Sequence, residues 1–190
     1  MTNFNKQEAI TYYTKFMQAI GLDLNDPNAK DTPERVVKMY KNDIFKGLYE
    51  SPPKVTTFPN QNGYTGIVFQ GNITVHSVCS HHHCPIIGTA YIGYLPSKNG
   101  RVIGLSKLNR IVEYFARRPQ IQENLTNQIH DYIDNIIKEN LGVAIFIKAK
   151  HTCVSLRGIK HDSEMKTFKL SGKFETETQW QNKFFELITI

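Results

Sequence analysis

Residues 67–95 read IVFQGNITVHSVCSHHHCPIIGTAYIGYL. β-Branched residues crowd the two flanks, GIVFQGNITVHSV and IIGTAYIGYL, and the sequence predicts at least two strands on either side of the polar VCSHHHCP. Upstream, Ala9, Ile10, Tyr13, Phe16, Met17 and Ile20 recur at helical spacing over residues 5–21, and Gly21 stops the pattern. A second helix is expected from DTPERVVKMYKNDIF, with Thr32 as cap and Pro33 at the first helical position, ending near Gly47. SPPKVTTFPNQNG is a connector rich in turn formers. Downstream, helices are predicted around Ser106–Ala116 and Pro119–Glu139, the latter carrying Ile121, Leu125, Ile129, Ile133 and Ile136. VAIFIKAKHTCVSLRGI and MKTFKLSGKF read as strands and TQWQNKFFELI as a closing helix. Paired helices alternating with runs of strands indicate an α+β fold on an antiparallel sheet.

The length of 190 residues suits one compact unit, expected over 51–190, behind an N-terminal helical segment at 1–50. With 40% hydrophobic and 21% charged residues the composition is that of a soluble globular protein, and no apolar run reaches the ~20 residues of a membrane span. The start MTNFNKQEAITYY has neither the basic nor the apolar region of a signal peptide, so a cytoplasmic location is expected. There, Cys79, Cys84 and Cys153 are expected as thiols or metal ligands and not as a disulfide. The net charge of +6 favours phosphates, nucleic acid or another anionic surface without choosing among them.

Within the polar stretch, Cys79 and His82 form a C-x-x-H pair, and a tight turn at a strand end lets both face one ion. A third ligand must come from a distance, and Cys153 is the only cysteine far along the chain. Two thiolates and one imidazole with an open fourth position suit a catalytic zinc, which soft sulfur ligands favour over magnesium or calcium. Cys84 in place of Cys79, or His81 or His83 in place of His82, are alternatives that spacing leaves open. If KHTCVSLRG is a strand, His151, Cys153, Ser155 and Arg157 share a face, and Cys153 and Arg157 stand ~13 Å apart. That span suits a ligand with its reactive ring at the metal and an anionic tail at the arginine.

Basic residues recur at helix starts. In GLSKLNR, Ser106 reads as a cap, Lys107 as the first helical residue, and Arg110 lies on the same face, a possible phosphate site. Arg35 and Lys38 make a similar pair on the second helix. Gln122 and Glu123 fall in the first turns of the long helix, where a glutamate simply complements the dipole.

CSHH, GLSKLNRIVEYFARRPQIQENLT and HTCVSLRGI, in this order and at these separations, closely resemble GTP cyclohydrolase I, and DTPERVVKMYKNDIFKGL resembles its N-terminal helical segment. The likeness runs from about residue 10 to the end. It implies a T-fold, an antiparallel sheet with helices on one side preceded by N-terminal helices, assembled as a homodecamer with interfacial active sites. The implied reaction is hydrolysis of GTP to 7,8-dihydroneopterin triphosphate and formate, the first step of tetrahydrofolate, pterin or 7-deazaguanine synthesis. By position, Cys79, His82 and Cys153 match the Zn2+ ligands and His81 and His151 the catalytic histidines. Gln122 and Glu123 match the guanine pocket, and Ser106, Lys107, Arg110, Arg157, Arg35 and Lys38 the ribose and triphosphate contacts. The family usually has Glu at the position of Ser80 and apolar residues at those of His83 and Cys84, so these last two donors have no implied role. Two other readings are a related T-fold enzyme, such as the nitrile reductase of queuosine synthesis with Cys84 as nucleophile, and a zinc-stabilised nucleic-acid-binding module. The resemblance implies no nucleic-acid partner and no membrane.

Overall fold

A computed structural model describes residues 3–189, which form two compact units divided between Ser51 and Pro52. In the first, α1 (Lys6–Ala19) starts where the Asn5 side chain accepts from the Glu8 N–H, and Met17 is its buried residue, while Phe16 and Ile20 stay exposed. The expected second helix is three pieces: α2 (Thr32–Met39), a π-helical turn (Tyr40–Ile44) and α3 (Lys46–Tyr49). Thr32 does not cap α2. Asp31 holds the cap position without a side-chain bond, Thr32 is already helical and Pro33 follows it, since a proline tolerates any first-turn site that needs no N–H partner. Asp31 instead pairs with Arg35 at 3.3 Å.

The second unit contains a two-stranded sheet, β1 (Thr57–Pro59) against β4 (Arg101–Ile103), and a five-stranded sheet. The larger sheet has the order β5-β2-β3-β6-β7, with β2 (Val68–Cys79), β3 (Pro85–Leu95), β5 (Pro119–Gln120), β6 (Gly142–His151) and β7 (Glu164–Leu170). All neighbours are antiparallel except β5, which runs parallel to the last two residues of β2. The two strands expected around VCSHHHCP are β2 and β3.

Period-2 alternation aims Ala90, Ile92 and Tyr94 of β3 at α4 (Leu105–Ala116) and α5 (Gln122–Ile136), whose Leu108, Ile111, Leu125, Ile129 and Ile133 complete an aliphatic core. Tyr94 is fully buried there, and its hydroxyl accepts the Ile103 N–H at 2.9 Å. The opposite face is not bare. Leu95 and Ala144 meet Phe174 of α7 (Lys173–Thr176) and Phe184 of α8 (Thr178–Thr189), with Tyr91 and Phe146 packed beside them. No helix among the described residues is long and apolar enough to cross a membrane.

The register decides which residues gather at one end of the sheet. Cys79 lies beside Gln120, Val78 beside Pro85, and Ile86 beside His151. The end of β2, the start of β3, the end of β6 and the entry to α5 therefore meet.

Candidate metal centre

The chain turns between β2 and β3 with two backbone bonds: the Cys79 N–H donates to the Cys84 carbonyl and the His83 N–H to the Cys79 carbonyl, each at 2.8 Å. His83 takes a positive φ of 52°, a left-handed conformation that a non-glycine residue adopts at some cost. Pro85, with no N–H to offer, begins β3. This winding turns His82 back over the end of β2. Potential donor atoms of Cys79, His82 and Cys153 lie within 4.8 Å of one another, close enough to hold one metal ion. Tetrahedral ligands on an ion such as zinc stand roughly 3.3–3.8 Å apart, so only a small contraction is needed. Cys79 is buried, Cys153 half-buried and His82 exposed, an arrangement that leaves the ion reachable from solvent.

Cys153 does not reach the group from a strand. β6 ends at His151, and residues Thr152–Ser155 form a helical turn, α6, which the Thr152 hydroxyl ties to the Pro85 carbonyl at 2.8 Å. The expected strand through Arg157, and its ~13 Å separation of Cys153 from Arg157, are therefore incorrect. The turn brings Arg157 back over the cluster, where Nη1 donates to Nε2 of His82 at 3.0 Å. A guanidinium has no lone pair to accept with, so in this arrangement His82 Nε2 is the acceptor.

His81 sits on the other side, Nδ1 at 3.6 Å from the Cys79 sulfur. Burial pushes the Cys153 thiol up, and the neighbouring Cys79 and Cys84 thiols add to it. A cation at the cluster reverses that preference, because the thiolate is the ligand. His151 lies half-buried behind the cluster. Burial lowers its pKa below the ordinary histidine value, and the nearby Glu123 carboxylate opposes the shift.

Gln122 and Glu123 occupy the first two positions of α5 but differ in surroundings. Glu123 is exposed, whereas the Gln122 side chain is buried, its oxygen 2.8 Å from Nε2 of His151. Sequence reasoning missed what holds the Gln122 side chain, namely the Ile147 and Met165 carbonyls and the Thr167 hydroxyl, the last of which also bonds Thr126. A threonine four residues after Gln122, set among Leu125, Ile129 and Ile133, was the one visible signal.

Ser106, Lys107 and Arg110 stand elsewhere. Gly104 occupies the cap of α4 with no side-chain bond and Leu105 is the first helical residue, so Ser106 is not the cap and Lys107 is third. Asn109 accepts from Gln70 near the start of β2, while Ser77 near its end bonds the Arg118 carbonyl beyond the helix. The start of α4 thus lies at the far end of β2 from Cys79, about 30 Å away at the rise of a strand, too far for one small ligand to bridge within a chain. Arg35 and Lys38 are exposed on α2 of the N-terminal unit.

The family model of GTP cyclohydrolase I matches residues 9–189. GTP cyclohydrolase 1 of Flavobacterium johnsoniae is 46% identical over 92% of this chain and 77% of its own length. That of Wigglesworthia glossinidia brevipalpis is 43% identical over 92% of this chain and 81% of its own. Among solved structures, the archaeosine synthase QueF-Like in the apo form aligns with a TM-score of 0.47 at 16% identity over 57% of this chain and 96% of that one.

Proposed function

Because the chain belongs to the GTP cyclohydrolase I family, whose T-fold is the sheet-and-helix arrangement described above, we propose that it hydrolyses GTP to 7,8-dihydroneopterin triphosphate and formate. The observation that carries this reading is the convergence of Cys79, His82 and Cys153 beside His151, in a chain matched to the family from residue 9 to 189. Zinc is the metal these donors favour: two soft thiolates and an imidazole discriminate against magnesium and calcium, and three protein ligands leave a position open. Bound there, zinc would supply a water acidified to near neutral pH as the nucleophile for C8 of guanine.

The protein's own groups supply the rest. C8 is a poor electrophile until N7 is protonated, and His151 is the general acid for that step. Glu123 accepts from the guanine N1–H and 2-amino group, a pairing that rejects adenine by leaving a carboxylate unsatisfied. His81, beside Cys79 and exposed, moves the protons that open the ribose before the pterin ring closes. Arg157, Lys107, Arg110, Arg35 and Lys38 neutralise the triphosphate, and Ser106 contributes a hydroxyl to the ribose and triphosphate contacts.

The start of α4 and the cysteine cluster lie too far apart in one chain to share a GTP molecule, which supports active sites completed by a second copy in a homodecamer. We place the enzyme in the cytoplasm, at the head of folate, pterin or 7-deazaguanine synthesis. The test is to incubate metal-loaded protein with GTP, measure formate, and look for pterin fluorescence after oxidation. Zinc-loaded protein that releases no formate overturns the reading.

A further inference from the structure

Gln122 is buried at the start of α5, with 1% of its surface exposed, and every polar atom of its side chain is engaged. Its amide nitrogen lies 3.2 Å from the Ile147 carbonyl, 3.1 Å from the Met165 carbonyl and 3.1 Å from the Thr167 hydroxyl. Carbonyls can only accept, so the group facing them is the NH2 and the amide has one allowed orientation. The hydroxyls agree. Thr126 donates to the Gln122 backbone carbonyl at 2.9 Å, so the 2.7 Å contact between Thr126 and Thr167 must use the Thr167 proton. The Thr167 oxygen is then left to accept from Gln122.

With the nitrogen fixed inward, Oε1 is the atom 2.8 Å from Nε2 of His151. An amide oxygen has no proton to give. Nε2 must carry one, and the lone pair of the neutral ring is left on Nδ1, which has no hydrogen-bond partner among the described residues.

We propose that Gln122 is a positioning residue, acting not on the purine but on His151, whose ring it holds in one orientation and in the Nε2–H tautomer, leaving the lone pair on Nδ1. This rests on the reading of His151 as the acid-base group of a GTP cyclohydrolase I. It assigns guanine recognition on α5 to Glu123, and gives the buried amide a role that a substrate contact does not require: one face satisfied by fixed carbonyls, the other by the ring it orients.

The experiment is 15N NMR of histidine-labelled, metal-loaded protein, with His151 assigned by difference against His151→Asn. The wild-type spectrum should show a pyrrole-like Nε2 and a pyridine-like Nδ1. In Gln122→Met, of similar shape but without the bonds, the His151 signals should shift toward a mixture of tautomers. There kcat should fall about 10- to 100-fold with the KM for GTP within about twofold, as expected when a supporting partner of a catalytic group is lost. Gln122→Glu retains an acceptor for Nε2 and should keep the wild-type tautomer. A wild-type His151 protonated at Nδ1 overturns the proposal, and needs no variant to fold. So does a Gln122→Met enzyme with raised KM and unchanged kcat, which is the signature of a guanine contact. Failure of the wild-type protein to turn over GTP sinks the functional reading instead and leaves the tautomer to stand or fall on its spectrum.

Discussion

The two faces of the five-stranded sheet are built from different materials. Against α4 and α5 the core is aliphatic, with Ile, Val and Leu side chains from four strands, and it runs out at one end into the polar group of Gln122, His151 and the cysteines. Against α7 and α8 it is aromatic: Phe184 meets Phe174 at 5.7 Å, Phe69 at 6.0 Å and Phe185 at 5.4 Å between ring centres. No cysteine among the described residues belongs to that cluster or packs on it. The difference teaches that chemistry and anchorage are divided across the thickness of a sheet. Stability and activity should therefore respond to different substitutions.

The largest effect is expected where the division is sharpest. Cys153→Ala removes one of three donors from a half-buried turn that only borders the aliphatic core, and leaves the aromatic core untouched. A catalytic metal supplies several kcal/mol of transition-state stabilisation, so GTP turnover should fall by at least about 10³-fold. Zinc content by mass spectrometry should drop with it, and the melting temperature measured on metal-free protein should shift by no more than a few degrees, as expected for a near-surface change. If the metal-free variant melts far lower than the metal-free parent, the centre is part of the anchorage and the division fails.

Phe184→Ala is the converse. Phe184 is fully buried and in contact with aromatic rings from both the sheet and its own helix. Its truncation should cost about 3–5 kcal/mol, through lost transfer energy and the cavity left behind. For a chain of this size that is a fall of about 6–20 °C in melting temperature, read by calorimetry. Metal content and KM of the folded fraction should match the parent, and Phe184→Leu should recover most of the loss. Loss of metal at temperatures where the variant is still folded would mean that the two faces communicate.

What the sequence made legible follows the same division. β2 and β3 could be read because period-2 alternation is a local signal, and the C-x-x-H pair could be read because the turn that closes it lies within six residues. α6 could not: Thr152, Cys153 and Val154 suit a strand, and the helical turn is stabilised by a bond from Thr152 to Pro85, 67 positions away. Nor could the wide separation of Ser106 from Cys79, since helical spacing reveals the buried face of α4 but not the end of β2 at which the helix begins. The carbonyls that fix Gln122 belong to β6 and β7, and a backbone acceptor leaves no trace in residue identity.

The smallest effect concerns charge at the rim of the site-bearing face. Burial alone would raise the Asp131 carboxyl, but hydrogen bonds from Lys169 at 2.6 Å and His130 at 2.9 Å, with their charges, outweigh it and hold it below the ordinary value. A carboxylate with a depressed folded pKa adds stability that is fully present above the unfolded value of about 3.9 and is lost as pH falls through the folded one. Asp131 is 55% exposed, so water and salt screen the pair and its worth is at most about 0.5 kcal/mol. Asp131→Asn, which keeps an oxygen for His130 to donate to, should lower the melting temperature by about 1–2 °C at pH 7. The gap should close as pH drops below 4 and shrink in high salt, because the protonated acid is neutral like the amide and close to it in shape, and salt screens the charged pair. A gap that persists undiminished at pH 2.5 would show that Asp131 acts through shape and hydrogen bonding, like the aromatic face, and that charge does not distinguish the two sides of the sheet.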